Sequence, residues 1–162
     1  MEDLMVRFKI VAFAMFLSIL SGFVLAAPVA AGQEGEPAVV QWHSYVNGME
    51  KLQQGEKTGF LYFYTDWCGY CKKADQETFS DKQVSSYLNE NFVPIRVNAD
   101  EEKALARQYG VVHYPSNIFL SPEGEVIAAR PGYIPADQMI DILAFIHTDS
   151  FKTMTFREFT NR

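Results

Sequence analysis

Cys68 and Cys71 are the only cysteines in a chain of 162 residues, and they stand three apart in the run Asp66-Trp67-Cys68-Gly69-Tyr70-Cys71-Lys72. Phe60 to Tyr64, just before them, reads as a short aromatic strand, and Cys68 to Thr78 as a helix, so the pair falls where a strand turns into a helix. Residues three apart at a helix start share one side of it, within reach of a sulfur–sulfur bond that opens and closes without unwinding the helix. Free backbone N–H groups and the helix dipole at that end favour a thiolate on the first cysteine, drawing its pKa below the free value of ~8.5. Cys68 is therefore the expected nucleophile, forming a mixed disulfide with a partner. Cys71, one turn further in, is the resolving thiol that closes the pair and releases the reduced partner.

Two other readings compete for the same pair. One is a permanently closed bridge, although closing so short a loop adds little stability. The other is zinc or copper on the two thiolates, which needs two further ligands, and His43, His113 and His147 show no paired spacing. Lys72 follows Cys71 where c-type haem attachment needs histidine. No metal and no cofactor are expected.

The bulk composition limits what surrounds this pair. A chain 48% hydrophobic and 14% aromatic holds one compact domain of ordinary size. A net charge of -6 gives no general attraction to phosphate backbones or anionic lipid, so no nucleic-acid partner is expected. Two cysteines also exclude a multi-bridge scaffold and a four-cysteine zinc or iron–sulfur site.

The N-terminus reads as an export signal. Arg7 and Lys9 precede an uncharged run from Ile10 to Ala27, and small residues follow. Cleavage after Ala31 places Val29 and Ala31 at the selective positions, making residues 1–31 a signal peptide. The run also approaches the length that spans a bilayer, so an uncleaved anchor is the alternative. Either way the domain is exported. Residues 32–39, with Gly32, Gly35 and Pro37, read as a flexible lead.

The elements that must position the cysteines follow from periodicity. From Val40 to Leu52, Trp42, Tyr45, Val46, Met49 and Leu52 recur at helical spacing, predicting an amphipathic helix despite Gly48. After the redox segment, Ser80 to Asn91 continues as helix with Ser80 as its cap, and Phe92 to Val97 reads as a strand. Asp100 is the expected cap of a helix through Tyr109 that Gly110 ends. Asn117 to Leu120 and Val126 to Arg130 flank Ser121-Pro122-Glu123-Gly124, predicting an antiparallel hairpin. A last helix starts at Pro135 and carries Met139, Ile140, Leu143, Ile146 and His147 as an apolar stripe. The order helix, strand, helix, strand, helix, strand, strand, helix predicts an α/β fold with a mixed sheet between helices.

Asp66 to Lys72, with Tyr114-Pro115-Ser116 some forty residues later and the hairpin beyond, resembles the thioredoxin superfamily over roughly Gln41 to His147. The resemblance implies a thioredoxin fold over residues 40–148 and a tail, 149–162, whose Phe151, Phe156 and Phe159 pack on it. Thr78-Phe79-Ser80-Asp81 and Val84 are similar to exported thioredoxin-like domains that relay electrons, including the C-terminal domain of the transmembrane electron carrier of the bacterial periplasm. The tail is similar to the ends of thioredoxin-like proteins associated with sulfur oxidation.

The resemblance further implies a cis peptide before Pro115, with the Tyr114 backbone pairing with an extended substrate, and Trp67, Gly69 and Tyr70 touching partners. The implied function is that of a periplasmic, monomeric thiol–disulfide oxidoreductase. A membrane dithiol donor would keep it reduced, and it would pass electrons to protein disulfides. An oxidase or isomerase using the same pair is one alternative; a non-catalytic binding module or metallochaperone is another. The sequence departs from the superfamily at two places. Tyr62 stands where thioredoxin buries an Asp that aids proton transfer, leaving Glu77, Asp66 or water as the helper. Gly69-Tyr70 replaces Gly-Pro between the cysteines and matches periplasmic disulfide isomerases.

Overall fold

The computed structural model describes residues 39–55 and 57–161, so the expected signal peptide and nearly all of the lead lie outside the described residues. Strand β1 (Thr58–Tyr64) is central: it runs parallel to β2 (Phe92–Asn98) and antiparallel to β3 (Ser116–Leu120), which pairs antiparallel with β4 (Val126–Pro131). The sheet order is β2-β1-β3-β4. Phe60, Leu61, Tyr62 and Phe63 are all fully buried because helices cover both faces, which is why β1 reads as an unbroken apolar run rather than an alternating one.

Alternation along the strands sends side chains into two separate cores. Phe60, Tyr62 and Phe119 meet Ala74 and Phe79 of the redox segment, Val84 and Leu88 of α3 (Lys82–Asn91), and Met139, Ile142, Leu143 and Ile146 of α5 (Ala136–His147). Leu61, Phe63, Ile95 and Ile118 meet Leu52 of α1 (Tyr45–Gln54) and Leu105 and Ala106 of α4 (Lys103–Gln108). The redox helix, α2, begins as α-helix at Gly69–Lys73 and continues as a π turn over Ala74–Thr78. A 3₁₀ turn (Ser150–Lys152) and α6 (Phe156–Thr160) follow α5, and the rings of Phe151, Phe156 and Phe159 surround Phe145 at 5.3–6.5 Å. No helix among the described residues is long and apolar enough to cross a membrane.

Several boundaries differ from the sequence reading, each for a local reason. The first helix begins at Tyr45, capped by Ser44, not at Val40. His43 instead forms a parallel bridge to Ile95, its N–H donating to Pro94 O at 2.9 Å while its O accepts from Arg96 N at 3.0 Å. Trp42 therefore belongs to the core of Phe60 and Phe79, on the face opposite α1, although its spacing had placed it on that helix. Gly48 is no weakness, because a Cβ there would lie 2.8 Å from Ile95 Cδ1 and closer still to Cγ1. The bare backbone lets α1 approach β2.

The expected single helix from Cys68 to Asn91 is two, and Asp81, not Ser80, caps the second: Asp81 Oδ1 accepts from Gln83 N at 2.9 Å and Val84 N at 3.0 Å. Ser80 Oγ instead donates back to Gln76 O. Asp81→Ala should cost about 1 kcal/mol, read as a fall of a few degrees in thermal midpoint. Ser80→Ala should cost less, and the reverse order would restore Ser80 as cap. Likewise Asp100 caps no helix. Its N–H is held by Asn98 Oδ1 at 3.0 Å in a turn, and α4 starts only after Glu102.

His43 carries a pH signature. Burial, then the Lys51 ammonium, lowers its pKa from the ordinary 6.5. The unfolded chain thus binds a proton that the folded chain resists, so stability is full above pH 6.5 and declines as pH falls through the lowered value. Urea midpoints between pH 7.5 and 5 should fall less steeply in His43→Gln than in the native chain; equal slopes would assign the acid loss elsewhere.

Candidate functional site

Cys68 and Cys71 are joined by a disulfide, with Cα atoms 5.2 Å apart. Cys68 is the N-cap of α2, in extended backbone at φ -75° and ψ 109°, and the Cys71 N–H donates to Cys68 Sγ at 3.1 Å. The backbone O of Cys68 accepts from Cys71 N and Lys72 N, both at 3.2 Å, so the first turn is closed around the sulfur. A donor aimed at Sγ and the positive end of the helix dipole act on the same atom, and both favour its thiolate once the bond is open. Cys68 is 6% exposed and Cys71 1%, so the first residue keeps a narrow opening to solvent and the second almost none. That asymmetry suits attack at Cys68 and resolution by Cys71.

The aromatic residues of the motif stand out from the surface instead. Trp67 is 70% exposed and Tyr70 65%. Trp67 meets the ring of Tyr114 edge-on, with centroids 6.0 Å apart, which brings the Tyr114-Pro115 segment to the residue that precedes Cys68. The Tyr114–Pro115 peptide is cis, as the resemblance implied, and Pro115 is buried. Its carbonyl accepts from Gly132 N at 2.7 Å, while Asn117 Nδ2 donates to Arg130 O at 3.0 Å and Gly132 O at 3.1 Å. The proline loop is thereby tied to the loop after β4. Gly69 is exposed, with nothing within 4 Å of where a Cβ would sit, so no steric demand holds glycine there.

Tyr62 is fully buried, and burial, then the Asp75 carboxylate, pushes its pKa well above the ordinary 10.0; it is no base near neutral pH. Its hydroxyl and that of Thr65 are buried with no hydrogen-bond partner among the described residues. Asp66 accepts from Asn98 Nδ2 at 3.1 Å, and Glu77 accepts from the Tyr133 hydroxyl at 2.7 Å.

The sequence reading missed Asp75, a carboxylate on the π turn of the redox helix itself, one turn beyond Cys71. Asp75 accepts two bonds from Arg96 of β2, at 3.0 and 2.8 Å. Arg96 also lies 4.1 Å over the Tyr64 ring. Burial alone would lower the Arg96 pKa, but the bonds to Asp75 more than offset it, and the guanidinium stays charged. One signal pointed to this pair: Arg96 is a lone charge in a strand otherwise apolar. Among the described residues no group of three or more His, Cys, Asp and Glu forms a metal cluster.

Residues 46–147 match the sequence profile described as Thioredoxin-like domain. The chain is 32% identical over 90 residues to the thiol:disulfide interchange protein DsbD of Photorhabdus laumondii, a match covering 51% of this chain and 16% of that protein. The chain thus spans less than a fifth of the length of this curated relative. Among solved structures it is similar to a thioredoxin from Thermus thermophilus, with TM-score 0.61 and 26% identity over 67% of this chain and 87% of the other. It is also similar to a putative disulphide-isomerase from Bacteroides thetaiotaomicron, with TM-score 0.59 and 25% identity over 72% and 98%.

Proposed function

The chain belongs to the thioredoxin-like domain family and is a thiol–disulfide oxidoreductase with the pair Cys68 and Cys71, and on that premise we propose that it is an exported dithiol reductase. The reduced protein attacks a partner's disulfide with the Cys68 thiolate; one partner sulfur leaves as a thiolate and takes up a proton, and a mixed disulfide forms. Cys71 then gives up its proton and attacks Cys68, the Cys68–Cys71 bond closes, and the second partner thiol is released, two electrons having passed to the partner. A membrane dithiol donor returns the pair to the reduced form. Export rests on the apolar run Ile10 to Ala27 behind Arg7 and Lys9.

The observation that carries the reading is the seat of Cys68: it caps α2, accepts the Cys71 N–H at 3.1 Å, and is the more exposed of two nearly buried cysteines. The exposed Trp67, next to Cys68 and edge-on to Tyr114, supports a docking edge for the partner formed by Trp67 and the Tyr114-Pro115 segment. The test is the reduction potential, taken by equilibration with dithiothreitol or glutathione and thiol alkylation. A value near ~-270 mV is expected of a donor, whereas one near ~-120 mV would make the protein an oxidant. The oxidant or isomerase direction has one observation behind it, the Gly69-Tyr70 dipeptide.

A further inference from the structure

Tyr70, two residues after Cys68, has its ring 6.4 Å from that of Tyr133, which comes from the loop between β4 and α5. Tyr133 is held from several directions. Its hydroxyl donates to Glu77 Oε2 at 2.7 Å, and the Lys73 ammonium lies 4.7 Å over its ring. The next residue, Ile134, accepts from the Thr78 hydroxyl at 2.6 Å, and the preceding one, Gly132, donates to Pro115 O at 2.7 Å. The loop is thus tied to the redox helix on one side and to the cis-proline segment on the other. Its position is set before any partner arrives, so no ordering cost falls on binding.

The one polar atom of the Tyr133 side chain is taken by Glu77, which in turn lies 3.8 Å from Lys73 Nζ. With that hydroxyl held, Tyr133 offers its ring surface, and Tyr70, 65% exposed, adds its own ring beside it. Two aromatic pairs therefore border Cys68: Trp67 with Tyr114, built on the residue before it, and Tyr70 with Tyr133, built on the residue two after it.

We infer that Tyr133 is a specificity-determining residue, forming with Tyr70 a rigid aromatic ledge that selects partner segments carrying a large apolar side chain beside the cysteine under attack. The occupant follows from the reaction, since exchange brings an extended cysteine-bearing segment to Cys68, and its neighbouring side chain must lie along this border. The inference rests on the thiol–disulfide exchange reading above. A stacked or edge-on ring contact is worth a factor of about two to ten in binding.

The test uses the reduced protein and two glutathione-capped cysteine peptides that differ only in the residue next to the cysteine, Phe in one and Gly in the other. The native chain should favour the Phe peptide in kcat/KM. Tyr133→Ala should raise KM for that peptide about two- to tenfold and erase the preference, with kcat little changed, and Tyr133→Phe should keep it, since the ring and not the hydroxyl makes the ledge. No Phe preference in the native chain, or an equal loss for both peptides in Tyr133→Ala, would overturn the inference. Failure of the native chain to reduce either peptide would overturn the exchange reading itself, which is a different result.

Discussion

Cys68→Ser will lose thiol–disulfide exchange, with kcat/KM down by roughly three orders of magnitude or more, because the more exposed cysteine of the pair, the attacking thiol, is gone. A serine hydroxyl at the same cap position keeps an acceptor for the Cys71 N–H, so the fold should persist and the loss is chemical. Cys71→Ser has a different outcome. Cys68 can still attack, but nothing resolves the product, so mixed disulfides with partners accumulate and appear as higher-mass bands that collapse on adding dithiothreitol. Incubating both variants with an oxidised protein substrate and alkylating the products separates the roles. Adducts trapped by Cys68→Ser and not by Cys71→Ser would exchange nucleophile and resolver; adducts in neither would return the pair to a static bridge.

Phe60→Ala should be the most destabilising single change in the core. Phe60 is fully buried at the centre of β1, with ring centroids 6.1 Å from Trp42, 6.0 Å from Phe79 and 5.4 Å from Phe119. Truncating a buried Phe to Ala costs about 3–5 kcal/mol, from lost transfer energy plus the cavity left behind. A domain of this size is stable by only ~5–15 kcal/mol, so about a fifth of the total or more is at stake. Urea unfolding should show a midpoint shifted down by about 1–3 M with an unchanged slope. A loss below ~1 kcal/mol would mean that neighbouring rings close over the gap, and that the core is held by something other than this aromatic cluster.

Asp75 and Arg96 show where a local reading stops. Arg96 is the Cα partner of Tyr62 across β1 and β2, and its guanidinium reaches the helix that carries the cysteines. The two residues are far apart in the chain, and only the parallel pairing of β1 with β2 brings them together. The same holds for Tyr133, which gives no periodic or spacing signal. It matters because the loop after β4 returns to the redox helix through Thr78 and to Pro115 through Gly132. Trp42 failed in the opposite direction: its spacing fitted the helix that begins three residues later, but the Ser44 cap and the His43 bridge put it on the other face of the sheet.

What the amino-acid sequence determined by itself is the chemistry that depends on near neighbours. The Cys68–Cys71 pair at a helix start, the buried run of β1, the turn at Ser121 to Gly124 and the stripe of α5 each follow from a few consecutive residues obeying one period or one turn preference. Backbone hydrogen bonding and burial act over one or two turns, so spacing alone registers them. The tertiary structure alone decided which side chains border the sulfur from afar and which carboxylate finds a cation. Those depend on strand order, register and loop return, and contacts between residues 21 or 56 apart, such as Asp75 with Arg96 and Glu77 with Tyr133, leave no trace in local spacing.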